Sequence, residues 1–186
     1  EPLYEFQETI DIQFDEFKIP QKAITDLEFD LDELSDIWNA NEKKLILVGM
    51  QFPDKKLNQL LENIAEDDSV AILTETTSNL YSKRFFNKID QVIFPLNETK
   101  LSELKPDLLI TIGQNVISKK VKSFIRTLKP KFHWHLDEFW QPDTYQCLTH
   151  KIQMNAVEFL EKFTPKIQKR ESNYYEIWNN IRESHQ

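Results

Sequence analysis

Lys119 and Lys120 stand where positive charge is least comfortable, and their position is the clearest hint of chemistry in this 186-residue chain. Upstream lies Leu108-Leu-Ile-Thr-Ile112, a short apolar run that fits a parallel strand buried on both faces. Gly113 ends it. From Ser118 the period changes, because Val121, Phe124, Ile125 and Leu128 recur at i, i+3, i+4 and i+7. That spacing predicts a helix over 118–128 with Ser118 as its N-cap, so the two lysines take the first helical positions. A helix N-terminus carries partial positive charge and unpaired N–H groups, and each cation there costs about 0.3–1 kcal/mol unless an anion is near. In an open α/β sheet, ligands bind in the crevice beyond the carboxyl ends of the strands, where helix N-termini form anion seats. The implied chemistry is recognition of a negatively charged ligand. The competing reading is a solvated helix end, with the pair joining Lys122, Arg126, Lys129 and Lys131 on the surface.

Other candidates are weaker. His133 and His135 alternate with Phe132, Trp134 and Leu136, so they share one face of a strand, but a metal pair needs further ligands and none is near in sequence. Asp137 and Glu138 end that strand, where a carboxylate serves either a ligand hydroxyl or the cap of the next turn. Glu75, followed by Thr76, Thr77 and Ser78, reads as the polar lining of a crevice. Cys147 has no sequence neighbour that would activate it and reads as a small buried apolar residue. No Ser-His-Asp or Cys-His signature is present.

Strands are predicted over 44–48, 70–73, 108–112, 131–136 and 148–152. Helices are predicted over 30–40, from Pro53 to about Glu66, over 101–104 and 118–128, and over 156–163 with Val157, Leu160 and Phe163 facing in. Residues 80–94 read as one or two short buried helices, and a last helix carries Tyr174, Tyr175, Ile177, Trp178 and Ile181. This alternation predicts an α/β fold, a Rossmann-like doubly wound parallel sheet. Three parts are expected: an acidic linker arm over 1–40 that comes from a preceding domain, the Rossmann-like domain over 41–164, and a helical tail over 165–186 that leads to a following domain. The chain has only two glycines, Gly49 and Gly113, each after a strand. A dinucleotide fingerprint needs three, for the turn, the pyrophosphate approach and the helix packing, so that fingerprint is absent and a P-loop is absent too.

Composition sets the remaining bounds. With 40% apolar residues the chain can fill a core, and no run approaches the 18 apolar residues of a membrane span. No signal peptide is seen, and the single Cys147 excludes an internal disulfide, so a reducing cytoplasm is expected. Residues 1–40 hold 12 acidic and 2 basic residues, and residues 41–186 hold 19 and 21, together the chain's net charge of −8. An arm this acidic does not bind nucleic acid, whose phosphates need Lys and Arg. Its scattered aromatics, Tyr4, Phe6, Phe14, Phe17, Phe29 and Trp38, suggest that it wraps a domain surface. Glu1 in place of an initiating Met suggests a piece of a longer polypeptide.

Taken in order, Glu1-Pro2-Leu3-Tyr4, the strand Leu45-Ile-Leu-Val-Gly49, Leu109-Ile-Thr-Ile-Gly113 with Ser118-Lys119-Lys120, and the strand ending Leu136-Asp137 resemble the middle domain of 2-succinyl-5-enolpyruvyl-6-hydroxy-3-cyclohexene-1-carboxylate synthase. The resemblance spans nearly the whole chain. It implies a parent transferase of menaquinone biosynthesis, dependent on thiamine diphosphate and Mg2+, that decarboxylates 2-oxoglutarate and adds the succinyl unit to isochorismate. It further implies a homo-oligomeric enzyme with flanking pyrimidine-binding and diphosphate-binding domains, and a middle domain that itself holds no nucleotide, cofactor or metal and is inactive alone. The family's basic pair, which contacts substrate carboxylate, maps onto Lys119 and Lys120. Where relatives often carry Lys-Arg, Lys120 supplies charge without the bidentate fork of arginine. Two alternatives stay open: an independent nucleotide- or ligand-binding module of this fold, and a purely structural domain.

Overall fold

Strand β1 (Lys44–Val48) is the hub, and the chain builds outward from it in both directions. The computed structural model describes residues 29–93, 96 and 98–184. The arm's Tyr4, Phe6, Phe14 and Phe17 lie outside the described residues. Helix α1 (Leu31–Ala40) precedes the hub, and α2 (Lys55–Ile64), β2 (Val70–Thr74), a 3-10 turn (Thr76–Ser78), β3 (Phe85–Phe86), α3 (Ile89–Ile93) and α4 (Glu98–Glu103) follow it. The second half runs β4 (Leu108–Ile112), α5 (Lys119–Leu128), β5 (Phe132–Leu136), β6 (His150–Ile152), α6 (Ala156–Phe163) and α7 (Tyr174–Ser184). All pairings are parallel, in the order β3-β2-β1-β4-β5-β6. The chain steps one way from β1 to β3 and then returns to continue on the other side, so a topological switch point falls between β1 and β4. That is the doubly wound arrangement expected from the alternating pattern.

Every residue of β1, β2 and β4 is buried. Period two divides them between two apolar layers. Ile46 and Val48 of β1, Ile72 of β2 and Ile110 of β4 pack with α1, α2 and α6, where Trp38, Leu61, Phe159 and Phe163 are buried. Leu45, Leu47, Leu73 and Leu109 face the other layer, with Val121 and Ile125 of α5 and Tyr174 and Trp178 of α7. Burying each such side chain contributes about 1.5–3 kcal/mol, which fixes the register, since a slip of one residue would exchange the two faces.

Three details depart from the sequence reading. Residues 80–94 contain a two-residue edge strand before α3: Ile72 pairs with Phe85 and Leu73 with Phe86. Phe85 enters one apolar layer and Phe86 the other, an alternation too short to show a period. Helix α2 is opened by Asp54 and not by Pro53, because the Asp54 carboxylate accepts the N–H groups of Lys56 and Leu57. In α6 the inward positions are Phe159, Leu160 and Phe163, and Val157 is only partly buried.

Candidate functional site

The switch point is closed by backbone. Past the ends of β1 and β4 the ladder continues through the loops: Gly49 N–H donates to Ile112 O at 2.9 Å, Gln114 N–H to Met50 O at 3.0 Å, and Met50 N–H to Asn115 O at 3.2 Å. A Cβ at Gly49 would lie 2.1 Å from the Gln114 carbonyl oxygen, and Gly113 sits at φ +76° with Met50 O 3.2 Å from where its Cβ would be. Both glycines are therefore required by the crossing of two loops. The amides of Gly49, Met50 and Gln114, where a phosphate cradle would have to form, are each bonded to a carbonyl. A Rossmann-type nucleotide seat does not fit this turn.

Around the crossing the carboxyl edge is concave. A crevice of about 790 Å³ is lined by Met50, Phe52, Leu57, Gln114, Phe139 and Met154, among others. On the far side of β4, a cavity of about 190 Å³ lies over Thr111 and His135, walled by Val116, Trp140 and Tyr145. A third, more open crevice of about 330 Å³ is lined by Glu75, Thr76, Thr77, Lys88, Asp90, Ile117 and Ser118, at the very start of α5.

Lys119 and Lys120 are the first two residues of α5, both exposed, beside that third crevice. No ion pair to Lys119 is found among the described residues. Ser118 is the N-cap, as the spacing predicted: its Oγ accepts Val121 N–H at 3.1 Å and donates to Asp90 Oδ1 at 2.5 Å. The anion required at this helix end is present within the chain. Glu75 lays its carboxylate over the loop before α5, Oε2 accepting from Ile117 N–H and Oε1 from Ser118 N–H, each at 2.7 Å. Glu75 and Asp90 thus bond the residues just before the two lysines, and Lys88, which precedes α3, lines the same crevice, a neighbour that sequence spacing could not reveal.

The remaining candidates resolve into structural roles. His133 and His135 do share a face, bridged by Thr111: its Oγ1 lies 2.9 Å from His133 Nε2 and 2.8 Å from His135 Nδ1. Burial pushes the His133 imidazole down to about 4 and lowers His135 as well, so both are neutral near pH 7. Among the described residues no group of three or more His, Cys, Asp or Glu is arranged to hold a metal ion. Asp137 caps the turn after β5 by accepting the N–H groups of Phe139 and Trp140. Glu138 accepts from Asn155 Nδ2 at 3.4 Å. Cys147 is half-buried with Sγ 3.8 Å from His133 Nδ1, and burial pushes its thiol up to about 11, which leaves it unreactive. Sequence reading missed Lys44, fully buried at the start of β1. Its Nζ donates to Ser69 Oγ at 2.6 Å and lies 5.1 Å from the centre of the Trp38 ring, and burial lowers it to about 8. It lies at the opposite end of the strand from the crevices and anchors structure.

The fold and its carboxyl edge define a Rossmann-like α/β domain whose switch point is sealed and whose exposed basic pair opens a helix. No family profile matches the chain. It is, however, 35% identical over 176 residues to the 2-succinyl-5-enolpyruvyl-6-hydroxy-3-cyclohexene-1-carboxylate synthase of Flavobacterium johnsoniae, a match that takes in 94% of the chain and 32% of the relative. The synthase of the same name from Flavobacterium psychrophilum is 36% identical over 94% of the chain and 31% of its own length. That from Christiangramia forsetii is 38% identical over 80% and 26%. The chain is homologous to one portion of these synthases and spans less than a third of the length of each of the three.

Proposed function

We propose that this chain is the middle domain of a menaquinone-pathway synthase that joins 2-oxoglutarate and isochorismate, and that Lys119 and Lys120 present positive charge to a substrate carboxylate in the whole enzyme. The observation that carries the reading is Lys119 itself. It is exposed and without an ion pair among the described residues, at the carboxyl edge of a parallel sheet, in a chain whose relatives are named as synthases of a carboxylate, and the substrates proposed here are multiply anionic. Ammonium groups held on a fixed helix turn orient an anion at little entropic cost, and gain strength when the site is closed to water. Thiamine diphosphate and Mg2+ are proposed for the whole enzyme, and the bonding of the Gly49, Met50 and Gln114 amides to carbonyls supports placing them on other parts of the polypeptide. The flanking domains of the polypeptide are proposed to hold them, in a cytoplasmic homo-oligomer, and the isolated chain is proposed to be inactive.

Steady-state kinetics of the full polypeptide with Lys119→Ala, each substrate varied separately, test this. A loss on the order of tenfold or more in kcat/KM for one substrate, about 1.4 kcal/mol of transition-state stabilisation, is expected and identifies the anion that Lys119 meets. A second reading is favoured by Glu75 and Asp90, which already balance the charge at the α5 N-terminus without any ligand: the domain is then a scaffold alone. Kinetics unchanged for both substrates would establish that reading and remove the first.

A further inference from the structure

The entry to α5 is held from outside the helix. Glu75, the residue that follows β2, reaches past β1 to the loop after β4, 42 residues further along the chain, and binds two consecutive amides with its two oxygens. Charge-assisted hydrogen bonds of this kind are roughly twice as strong as neutral ones. Glu75 is itself anchored. Its N–H donates to Ser78 Oγ at 2.9 Å, and that buried hydroxyl donates to the carbonyl of Val48 at 2.6 Å, on the central strand. From the end of β1 an unbroken path of bonds therefore leads through Ser78, Glu75 and Ser118 to the start of the helix, and Lys119 is the next residue.

We infer that Glu75 is a positioning residue for Lys119. Its carboxylate ties down the two consecutive amides that lead into α5, those of Ile117 and Ser118, and leaves the ammonium of the next residue, Lys119, to meet an incoming substrate carboxylate. The same two bonds fix the turn from which that ammonium is presented. This inference rests on the substrate role proposed for Lys119. The geometry requires a carboxylate because two N–H donors converge on it: a glutamine amide brings one acceptor oxygen and an NH2 group, which would oppose one of the two N–H groups.

The test uses the full polypeptide with Glu75→Gln, Lys119→Ala and the double variant, each substrate varied in turn. For the substrate whose KM rises in Lys119→Ala, Glu75→Gln is expected to raise KM on the order of tenfold with kcat held within about twofold, and to add nothing further in the Lys119→Ala background. Losses that add independently, or that fall equally on both substrates, overturn the positioning role while leaving Lys119 in the site. Unchanged kinetics in Lys119→Ala overturn both. Should Glu75→Gln fail to fold, Glu75→Asp keeps the charge but is one methylene too short to span both amides, and is judged by the same kinetics. Amide exchange checks the clamp directly: Ile117 and Ser118 are expected to exchange at least about tenfold faster in the variant, a difference of about 1.4 kcal/mol in opening, and unchanged exchange overturns the inference.

Discussion

One hydroxyl links two buried histidines. His135 Nε2 faces the Trp140 carbonyl at 3.2 Å, which can only accept, so that nitrogen carries the proton and Nδ1 accepts from the Thr111 hydroxyl. Thr111 Oγ1 is then left to accept from His133 Nε2–H, and His133 Nδ1 faces the Cys147 thiol. Thr111 Oγ1 also lies 3.3 Å from the Trp134 carbonyl, and burial disfavours charge on either ring. Since the folded-state value for His133 is lowered to about 4 from 6.5, the unfolded chain binds a proton first as pH falls. The stability this site contributes is complete above about pH 6.5 and is lost progressively towards pH 4, about 2 kcal/mol of it by pH 5. Urea unfolding at pH 7.5 and pH 5 should show a smaller pH-dependent loss in His133→Gln than in the unchanged protein. Parallel losses would show that His133 is not the group responsible. The sequence placed both histidines on one face, but Thr111 is 22 residues upstream of His133 and is brought there by the β4–β5 register, which nothing local encodes. Glu75 was legible as a polar residue at a strand end, and its two amide partners were not, for the same reason.

At the scale of elements, the readable parts were those with enough residues to display a period. The apolar runs of β1, β2 and β4 and the stripe of α5 announce themselves, and Ser118 before that stripe announces its cap. The edge strand β3 has two residues and no period to read. Helix α7 shows another limit. Its aromatics were visible, but their partners are far away in the chain: Trp178 lies 5.7 Å from the Phe86 ring and 6.2 Å from Phe124, and Tyr174 donates its hydroxyl to Leu104 O at 2.8 Å. Both Tyr174 and Trp178 are fully buried. The tail helix therefore completes the second apolar layer, as α1 with Leu34 and Trp38 completes the first. Trp178→Ala is expected to destabilise this domain by about 3–5 kcal/mol, the cost of removing a large buried aromatic. Denaturant unfolding measures it, and a loss below about 1 kcal/mol, the scale of a surface substitution, would show that α7 is not docked in solution.

Across the whole molecule, the two edges of the sheet are unlike. At the amino edge the surface is charged and paired: Arg170 meets Glu42 at 3.0 Å, Lys169 meets Glu66 at 2.7 Å, and Arg84 meets Asp68 at 2.9 Å. At the carboxyl edge lie the large exposed apolar side chains, Met50 and Phe52 after β1, Tyr81 after β2, Ile117 after β4, and Phe139 and Trp140 after β5. Phe52 is 90% exposed and Phe139 88%, and both line the crevice of about 790 Å³. Exposed apolar side chains gathered at one edge mark a surface that meets other protein or a ligand. The relatives are about three times as long as this chain's match to them, so the cover we propose is the rest of the same polypeptide, closing over the edge where Lys119 stands. The prediction is a difference between contexts. Phe52→Ser with Phe139→Ser should leave the stability of the isolated domain within about 0.5 kcal/mol, as for other exposed positions, yet destabilise the full polypeptide by about 2 kcal/mol or more through lost apolar burial. Thermal unfolding of both forms decides it: an equally small effect in each would mean that this edge faces water in the whole enzyme, and the lysines on it would lose the closed, low-dielectric surroundings that their proposed role requires.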